Sequence, residues 1–393
     1  MSFAYDLGVT GSVRAAYWNK DKSFIDQRGY SVNSFWLNAK PEEILGIKPF
    51  FEGYIQAQDL SRGTTITIEA REAYLEYSLG AFDFRVGRQI IVWGKADKVN
   101  PTDRLSAKNL TLLMVNDEDQ RLGVFSARAI YNQERFRITA VWQPEWRTPV
   151  YPIPPLTGIT LNQINPSDSQ LQFALKAELT GGDFDSSLSY FNGINKLPDL
   201  QFLSAGATGI NIGLNFSRIQ VYGWDAAYNL GGLGVRGEVA YVATSGDSDP
   251  IKQNSSIYGV LGADYSFVEN FNVNAQLMYQ RVLQYASTDS ISDLNQKLLA
   301  DQTALIANQQ FENIFGMTLR PSYKLFHETL ELETAFVVWF RNLSSLIRPQ
   351  VSYAISDAFK ASVGGELYQG EDNSFFGRLR NVSSVYTELR YYF

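Results

Sequence analysis

The chain contains no cysteine, which excludes disulfide scaffolds, thiolate metal sites and cysteine nucleophiles. Histidine is nearly as scarce. His327 is the only one, and it sits beside Phe326 in an expected turn at the wrong end for a general base near the membrane face or mouth. No Walker, Rossmann or zinc spacing occurs, so neither an enzyme nor a cofactor is expected, and Gly246-Asp247-Ser248-Asp249 lacks the continuation of a calcium loop. A basic excess is missing too: the formal net charge of −7 argues against a nucleic-acid partner. No window offers the roughly 18 apolar residues that a spanning helix requires, and the most apolar stretch, Phe336 to Phe340, ends at Arg341. Met1-Ser2-Phe3 has no basic start or apolar core of a leader, so the expectation is a secreted protein whose signal peptide has been removed, with Met1 added.

What is present is aromatic and alternating. Charged residues make up 19%, aromatics 14%, and 22 Tyr and 25 Phe stand against four Met, a composition suited to pleated strands. Apolar and polar residues alternate in runs of about ten, the pattern of strands that face lipid and lumen by turns. At the C-terminus Val385, Thr387, Leu389, Tyr391 and Phe393 share one face, and Tyr386, Glu388, Arg390 and Tyr392 the other. Comparable ladders run through Leu171 to Leu179, Phe271 to Tyr279 and Leu330 to Val338. Strands are expected near 4–17, 30–39, 47–58, 66–79, 82–93, 122–131, 135–143, 170–180, 183–191, 217–229, 232–244, 255–267, 271–284, 311–324, 328–340, 346–355, 359–368 and 382–393, about eighteen in all.

Connections alternate between tight and long. Gly80-Ala81, Asn132-Gln133, Gly181-Gly182, Gly231-Gly232, Glu269-Asn270 and Asp357-Ala358 are tight; 94–121, 144–169, 192–216 and 285–310 are long. Short periplasmic turns, long extracellular loops and an even strand count describe an all-β fold, a single transmembrane antiparallel up-and-down barrel in the outer membrane. One sandwich cannot hold so many strands, and no blade-length repeat supports a propeller. Tyr17, Trp18, Trp142, Tyr190, Trp224, Tyr228 and Trp339 fall near strand ends, as interfacial girdles do. Such a barrel implies lipid bilayer and lipopolysaccharide as surroundings.

The last strand, with Leu389, Tyr391 and the terminal Phe393, resembles the signal by which the outer-membrane barrel assembly machinery recognises its substrates. A second resemblance covers residues 72–123: Glu72-Ala73-Tyr74-Leu75-Glu76-Tyr77, then Gly87-Arg88-Gln89, Trp93-Gly94 and Asn100-Pro101-Thr102-Asp103. This run is similar to a segment of alginate-exporter-like barrels and of a large, poorly characterised family of proteobacterial outer-membrane barrels.

Face assignment puts many charges in the lumen: Glu52, Arg71, Glu72, Glu76, Arg85, Arg128, Arg137, Arg320, Glu331, Glu333, Glu388 and Arg390. On the lipid face an Arg or Lys at the bilayer midplane costs about 2–4 kcal/mol. The apolar phase switches at Arg71-Glu72, where a bulge would turn both side chains inward. The signs are mixed, unlike the arginine lining expected of a polyanion conduit. Such charges either brace the wall as cross-strand pairs or line a pore.

The 94–121 segment joins paired charges to an apolar run, Leu110 to Val115, and needs a surface to pack on. Folded inward it forms a constriction, with Trp93, Lys95, Asp97, Asp103, Arg104 and Arg121 near the narrowest point; folded outward it is a rim lid. Within the 285–310 loop, residues 290–309 are expected to be helical, with Ser290-x-x-Asp293 as a capping box and Ile291, Leu294 and Leu298 on one face. Pro152, Pro154 and Pro155 stiffen the 144–166 connection. Two roles fit: a solute channel narrowed by 94–121, or a structural barrel that sheathes an electron-transfer cytochrome or docks a periplasmic transport partner.

Overall fold

The computed structural model describes residues 7–20, 29–59, 63–151, 158–164, 166, 171–206 and 209–393. Eighteen antiparallel strands form one sheet. They are β1 (Val9–Lys20), β2 (Gly29–Ala39), β3 (Ile47–Gln58), β4 (Thr65–Leu79), β5 (Phe82–Gln89), β6 (Val124–Gln133), β7 (Phe136–Gln143), β8 (Gln172–Leu179), β9 (Phe184–Ile194), β10 (Arg218–Leu230), β11 (Leu233–Ala243), β12 (Ser256–Val268), β13 (Phe271–Val282), β14 (Asn313–Leu325), β15 (Leu330–Trp339), β16 (Ser344–Ala354), β17 (Phe359–Gln369) and β18 (Ser384–Tyr392). Each pairs with its neighbour in sequence, and β18 pairs back onto β1 from Ser12↔Tyr392 to Lys20↔Ser384, which closes the barrel. Phe393 extends this seam through Gly11 N–H to its carbonyl at 3.0 Å. Closure satisfies the backbone from strand to strand, the condition for a sheet to stand in lipid.

Alternation fixes the two faces. On β1, Val9, Val13 and Tyr17 are exposed while Ser12, Arg14 and Trp18 are buried. On β18, Val385, Leu389 and Tyr391 point out, and Tyr386 and Glu388 in. The outer face is thus an apolar band around an interior of paired polar groups. Turn chemistry follows the same logic. Leu230 pairs with Leu233 across Gly231 and Gly232, whose φ of 57° and 95° give the left-handed two-residue hairpin that matches strand twist.

Three expectations need correction. The first strand begins at Val9 and runs to Lys20; residues 1–6 lie outside the described set. The fifth ends at Gln89 rather than near 93, because the chain leaves the wall at Ile90. The long loops 144–169 and 192–216, where no strands are expected, carry three. Residues 159–164 pair in parallel with 209–215, which pair antiparallel with 199–206, forming a small second sheet. A parallel pairing between distant loops leaves no tight-turn signal. The prolines at 152, 154 and 155 lie outside the described residues.

The helix of the 285–310 loop, α1 (Leu294–Ile306), starts later than its expected cap. Asp293 is the N-cap, accepting from Gln296 N–H, while Ser290 belongs to a preceding 3₁₀ turn. Leu294 and Leu298 are exposed; α1 instead buries Ala300, Thr303 and Leu305, and the Thr303 hydroxyl accepts from Leu200 N–H at 2.9 Å. Trp18, expected in a girdle, is only 1% exposed on the inner face, 4.4 Å from the Tyr386 ring.

Candidate functional site

The register of β3 and β4 slips by one where the apolar phase changes. Glu52 pairs with Glu72 and Gly53 with Ala70, so Arg71 is the extra residue of a bulge and both Arg71 and Glu72 face inward. Arg71 forms an ion pair with Glu52 and donates to the carbonyl of Glu118 at 2.8 Å; Glu72 accepts from Ile90 N–H at 2.9 Å. The bulge therefore aims two side chains at the segment that leaves β5.

That segment is held at its base by one carboxylate. Glu238 of β11 is fully buried and accepts four hydrogen bonds: from the N–H groups of Lys95 (3.0 Å), Ala96 (3.1 Å) and Thr102 (2.7 Å), and from the Thr102 hydroxyl (2.8 Å). Hydrogen bonds to an ionised acceptor are roughly twice as strong as neutral ones. Gly94 makes this approach possible, since a Cβ there would lie 2.5 Å from the Glu238 carboxylate and φ is +100°. The wall glycine Gly223 likewise leaves room for Thr102. Ile91, Trp93 and Leu105 pack into an aliphatic inner face made by Val141, Ala174, Phe191, Ile219, Val221, Ala240 and Val242.

From there the segment runs past the neighbouring strands β13 and β14 to β16 and then to β1 and β2, across the bore from β11. Gln276 of β13 accepts from Asp97 N–H at 2.8 Å, and Arg320 of β14 holds the Asp97 carboxylate at 2.8 Å. Asp117 forms an ion pair with Arg348 of β16, and Asp119 meets Arg14 of β1 at 2.6 Å. The apolar run finds its surface here. Leu113 and Val115 pack against Trp18, Tyr30, Val32 and Tyr386, while Leu112 and Met114 pack against Trp36 and Tyr54. Arg14 and Arg71 stack over Trp36, their guanidinium carbons 4.0 and 5.2 Å from the ring.

The residues expected at the narrowest point divide accordingly. Trp93, 6% exposed, is sealed in the aliphatic cluster and anchors the base. Asp103 and Arg121 pair within the segment at 2.7 Å and are both buried, and Arg104 Nε donates to the Pro101 carbonyl. Lys95 reaches Asp185 at 3.3 Å, and Asp97 reaches Arg320. A cavity of about 240 Å³ lies elsewhere, between Lys98, Val115, Asn116 and Asp117 on the segment and β15–β18 on the wall. Arg348, Lys360 and Arg390 face it together with Glu331 and Glu333. Lys98, Asp117, Arg348 and Lys360 were not among the expected site residues, because nothing local marks a pair as distant as Asp117 and Arg348.

Three of the expected lumen pairs run across strands, Arg85 with Glu76, Arg320 with Glu333 at 3.0 Å and Glu331 with Lys360 at 3.9 Å, while Glu388 and Arg390 pair along β18 at 2.7 Å. Arg128 lies opposite Arg85, and Arg137, exposed near the short-turn rim, donates to Asn132. Above the bore, Lys196 lies 4.3 Å over the Trp146 ring. Burial pushes its ammonium down to about 7, against the opposing pull of Asp103.

A closed 18-strand barrel with an apolar outer band and a polar interior is an outer-membrane barrel of the porin type, surrounded by lipid and lipopolysaccharide. The chain belongs to the family described as "Protein of unknown function (DUF1302)", which residues 17–322 match. Among solved structures it is similar to OccK5 (OpdH) of Pseudomonas aeruginosa, at 10% identity over 98% of both chains with a TM-score of 0.58, a likeness of fold. It also matches a loop L8 deletion mutant of OmpT, an outer membrane protein of Vibrio cholerae, at 11% identity over 99% of this chain and 100% of that one, with a TM-score of 0.46. No curated protein sequence matches. Similarity to alginate-exporter-like barrels is not shown by any of these matches.

Proposed function

We propose that the protein is an outer-membrane channel whose bore is narrowed by residues 94–121, solutes passing between that segment and β15–β18. The observation that carries this reading is the reach of the segment, from Glu238 on β11, by way of Arg320 on β14 and Arg348 on β16, to Arg14 on β1 across the bore. Barrels of this size leave an aqueous channel unless something fills it. Here a cavity of about 240 Å³ lies beside the segment and is faced by charges of both signs. Opposed charges at a constriction screen solutes by their own charge and dipole. Lys95, Asp97, Asp103, Arg104 and Arg121 then hold the constriction in shape, and Lys98, Asp117, Arg348 and Lys360 do the screening. A sheath for a cytochrome requires an open bore, which this segment occupies.

Replacing 96–118 with a short Gly-Ser linker tests the reading in planar bilayers. Single-channel conductance should rise several-fold, an order-of-magnitude expectation from pore dimensions, and ion selectivity should weaken. Unchanged conductance in a variant that still migrates faster on SDS gels before heating than after would overturn it.

A further inference from the structure

The inner wall carries an aromatic patch that a polar, water-filled bore does not call for. Trp18 of β1, Trp36 of β2, Tyr54 of β3 and Tyr386 of β18 are each 6% exposed or less, covered by Leu112 to Val115 of the segment's tip. Beside the patch stand Arg14 and Arg71, which hold the Asp119 carboxylate and the Glu118 carbonyl. The tip thus presents the wall with an apolar body followed by a carboxylate.

A second observation belongs to the wall itself. Gln56 of β3, 2% exposed, has no hydrogen-bond partner for either side-chain amide atom among the described residues, and neither has the Trp18 indole N–H. Ser34 pairs with both Arg14 and Gln56, so these two side chains stand on one row of the inner face. Buried polar groups left unpaired are costly, because they give up water and gain nothing in return. The tip supplies the apolar and anionic parts of the complement and leaves three polar atoms unanswered.

We propose that this patch is a binding site for amphipathic organic carboxylates, and that the tip occupies it as an internal stand-in for the solute. The apolar body of the solute lies on Trp18, Trp36 and Tyr54. Its carboxylate takes the place of Asp119 on Arg14, and Gln56 gains a partner. Solute and tip cannot share the patch, so binding and displacement of the tip are one event. The inference rests on the channel reading and names the solute class for it. It also fixes a sign: a seated tip lowers apparent affinity by the fraction of molecules in which the patch is free.

Calorimetry on the intact barrel in uncharged detergent tests this with three probes: 4-phenylbutyrate, 4-phenylbutylammonium and acetate. Only 4-phenylbutyrate should bind. Replacing 96–118 with the linker and Asp119 with Asn should tighten its binding about tenfold, because the competitor is gone. In that background Trp36→Ala or Arg14→Gln should weaken it about tenfold, as for buried Trp and Arg anchors elsewhere. Should the linker variant fail to fold, judged by heat-dependent migration on SDS gels, the full-length double variant Leu113→Ser/Met114→Ser replaces it with the same expected sign. Binding that is absent, unchanged or weaker after the tip is removed or loosened overturns the proposal, as does equal binding of the ammonium probe or of acetate. Raised conductance in the linker variant without tighter 4-phenylbutyrate binding sinks the solute assignment and leaves the channel; unchanged conductance sinks the channel.

Discussion

The base and the tip of the 94–121 segment are held by different physics. At the base, one buried carboxylate collects four donors, and Trp93 and Leu105 are packed among aliphatic side chains. Releasing it would strand a buried charge and several buried N–H groups together. At the tip, each contact is separable. Asp97, Asp117 and Asp119 sit on arginines of three different strands, and Leu112 to Val115 lie on aromatic rings. Met and Leu on aromatics are exchangeable surfaces, and the Asp117–Arg348 pair borders the open cavity. The base is built to stay and the tip to be displaced.

The sharpest way to break this contrast is at Glu238. Glu238→Ala should free the base and raise single-channel conductance nearly as far as the linker variant, while the lost hydrogen bonds destabilise the segment by several kcal/mol, at about 1–3 kcal/mol for each buried group left unpaired. Wild-type conductance in a folded Glu238→Ala barrel would remove the distinction between base and tip. Asp119→Asn should act more mildly. It weakens one latch, and the result should be more frequent brief openings in current traces at unchanged maximal conductance. Raising the salt concentration should loosen instead the more exposed pairs, Asp97–Arg320 and Asp117–Arg348, since screening acts on exposed pairs more than buried ones. An equal response of the Glu238→Ala barrel to salt would contradict the assignment of the screened contacts to the tip.

Arg348→Met should change conductance little and shift ion selectivity about twofold towards cations, because it removes one positive charge from the cavity wall. A shift towards anions would exclude that cavity as the path. The smallest effect is expected above the bore. Burial lowers Lys196 to about 7 from its ordinary 10.5, so between these values the unfolded loop binds a proton that the folded loop does not. Packing around Trp146 should therefore strengthen as pH rises through this window and stay constant below it. Lys196→Met should flatten that dependence in Trp fluorescence titrations; a slope that survives the substitution points to another group.

Much of the barrel was legible because its rules are local. A side-chain period of two, Gly-Gly turns and the phase change at Arg71-Glu72 each lie within a few residues of sequence. The segment's composition also announced a need for packing partners, since Leu112, Leu113 and Met114 together do not suit open water. What escaped is nonlocal. Trp93 reads as a pore residue until the chain is seen to turn inward at Ile90, and the partner of Asp117 is 231 positions away. Trp18 reads as interfacial because it sits at a strand end; only its parity with Arg14 places it inside. The helix cap falls three residues later than expected because both Ser290 and Asp293 are good cap types, and the Ser290 hydroxyl is already donated to the Ser287 carbonyl of the preceding turn.

The single extra residue at Arg71 makes the two halves of β4 opposite in parity. Ile66 and Ile68 face lipid at even positions, Leu75 and Tyr77 at odd ones. A one-residue deletion in this strand away from the bulge is therefore not a shortening but an inversion of one half, turning Glu69 or Glu76 into hydrocarbon. The strand tolerates insertions and deletions only in pairs, or at the bulge with the loss of Arg71 itself. Relatives can be sorted by that test: a homologue in which the spacing between the two isoleucines and the Tyr-Leu-Glu-Tyr run is shorter by one, with both halves still facing lipid, has lost the arginine that stacks on Trp36, and with it one cationic contact to the segment's tip.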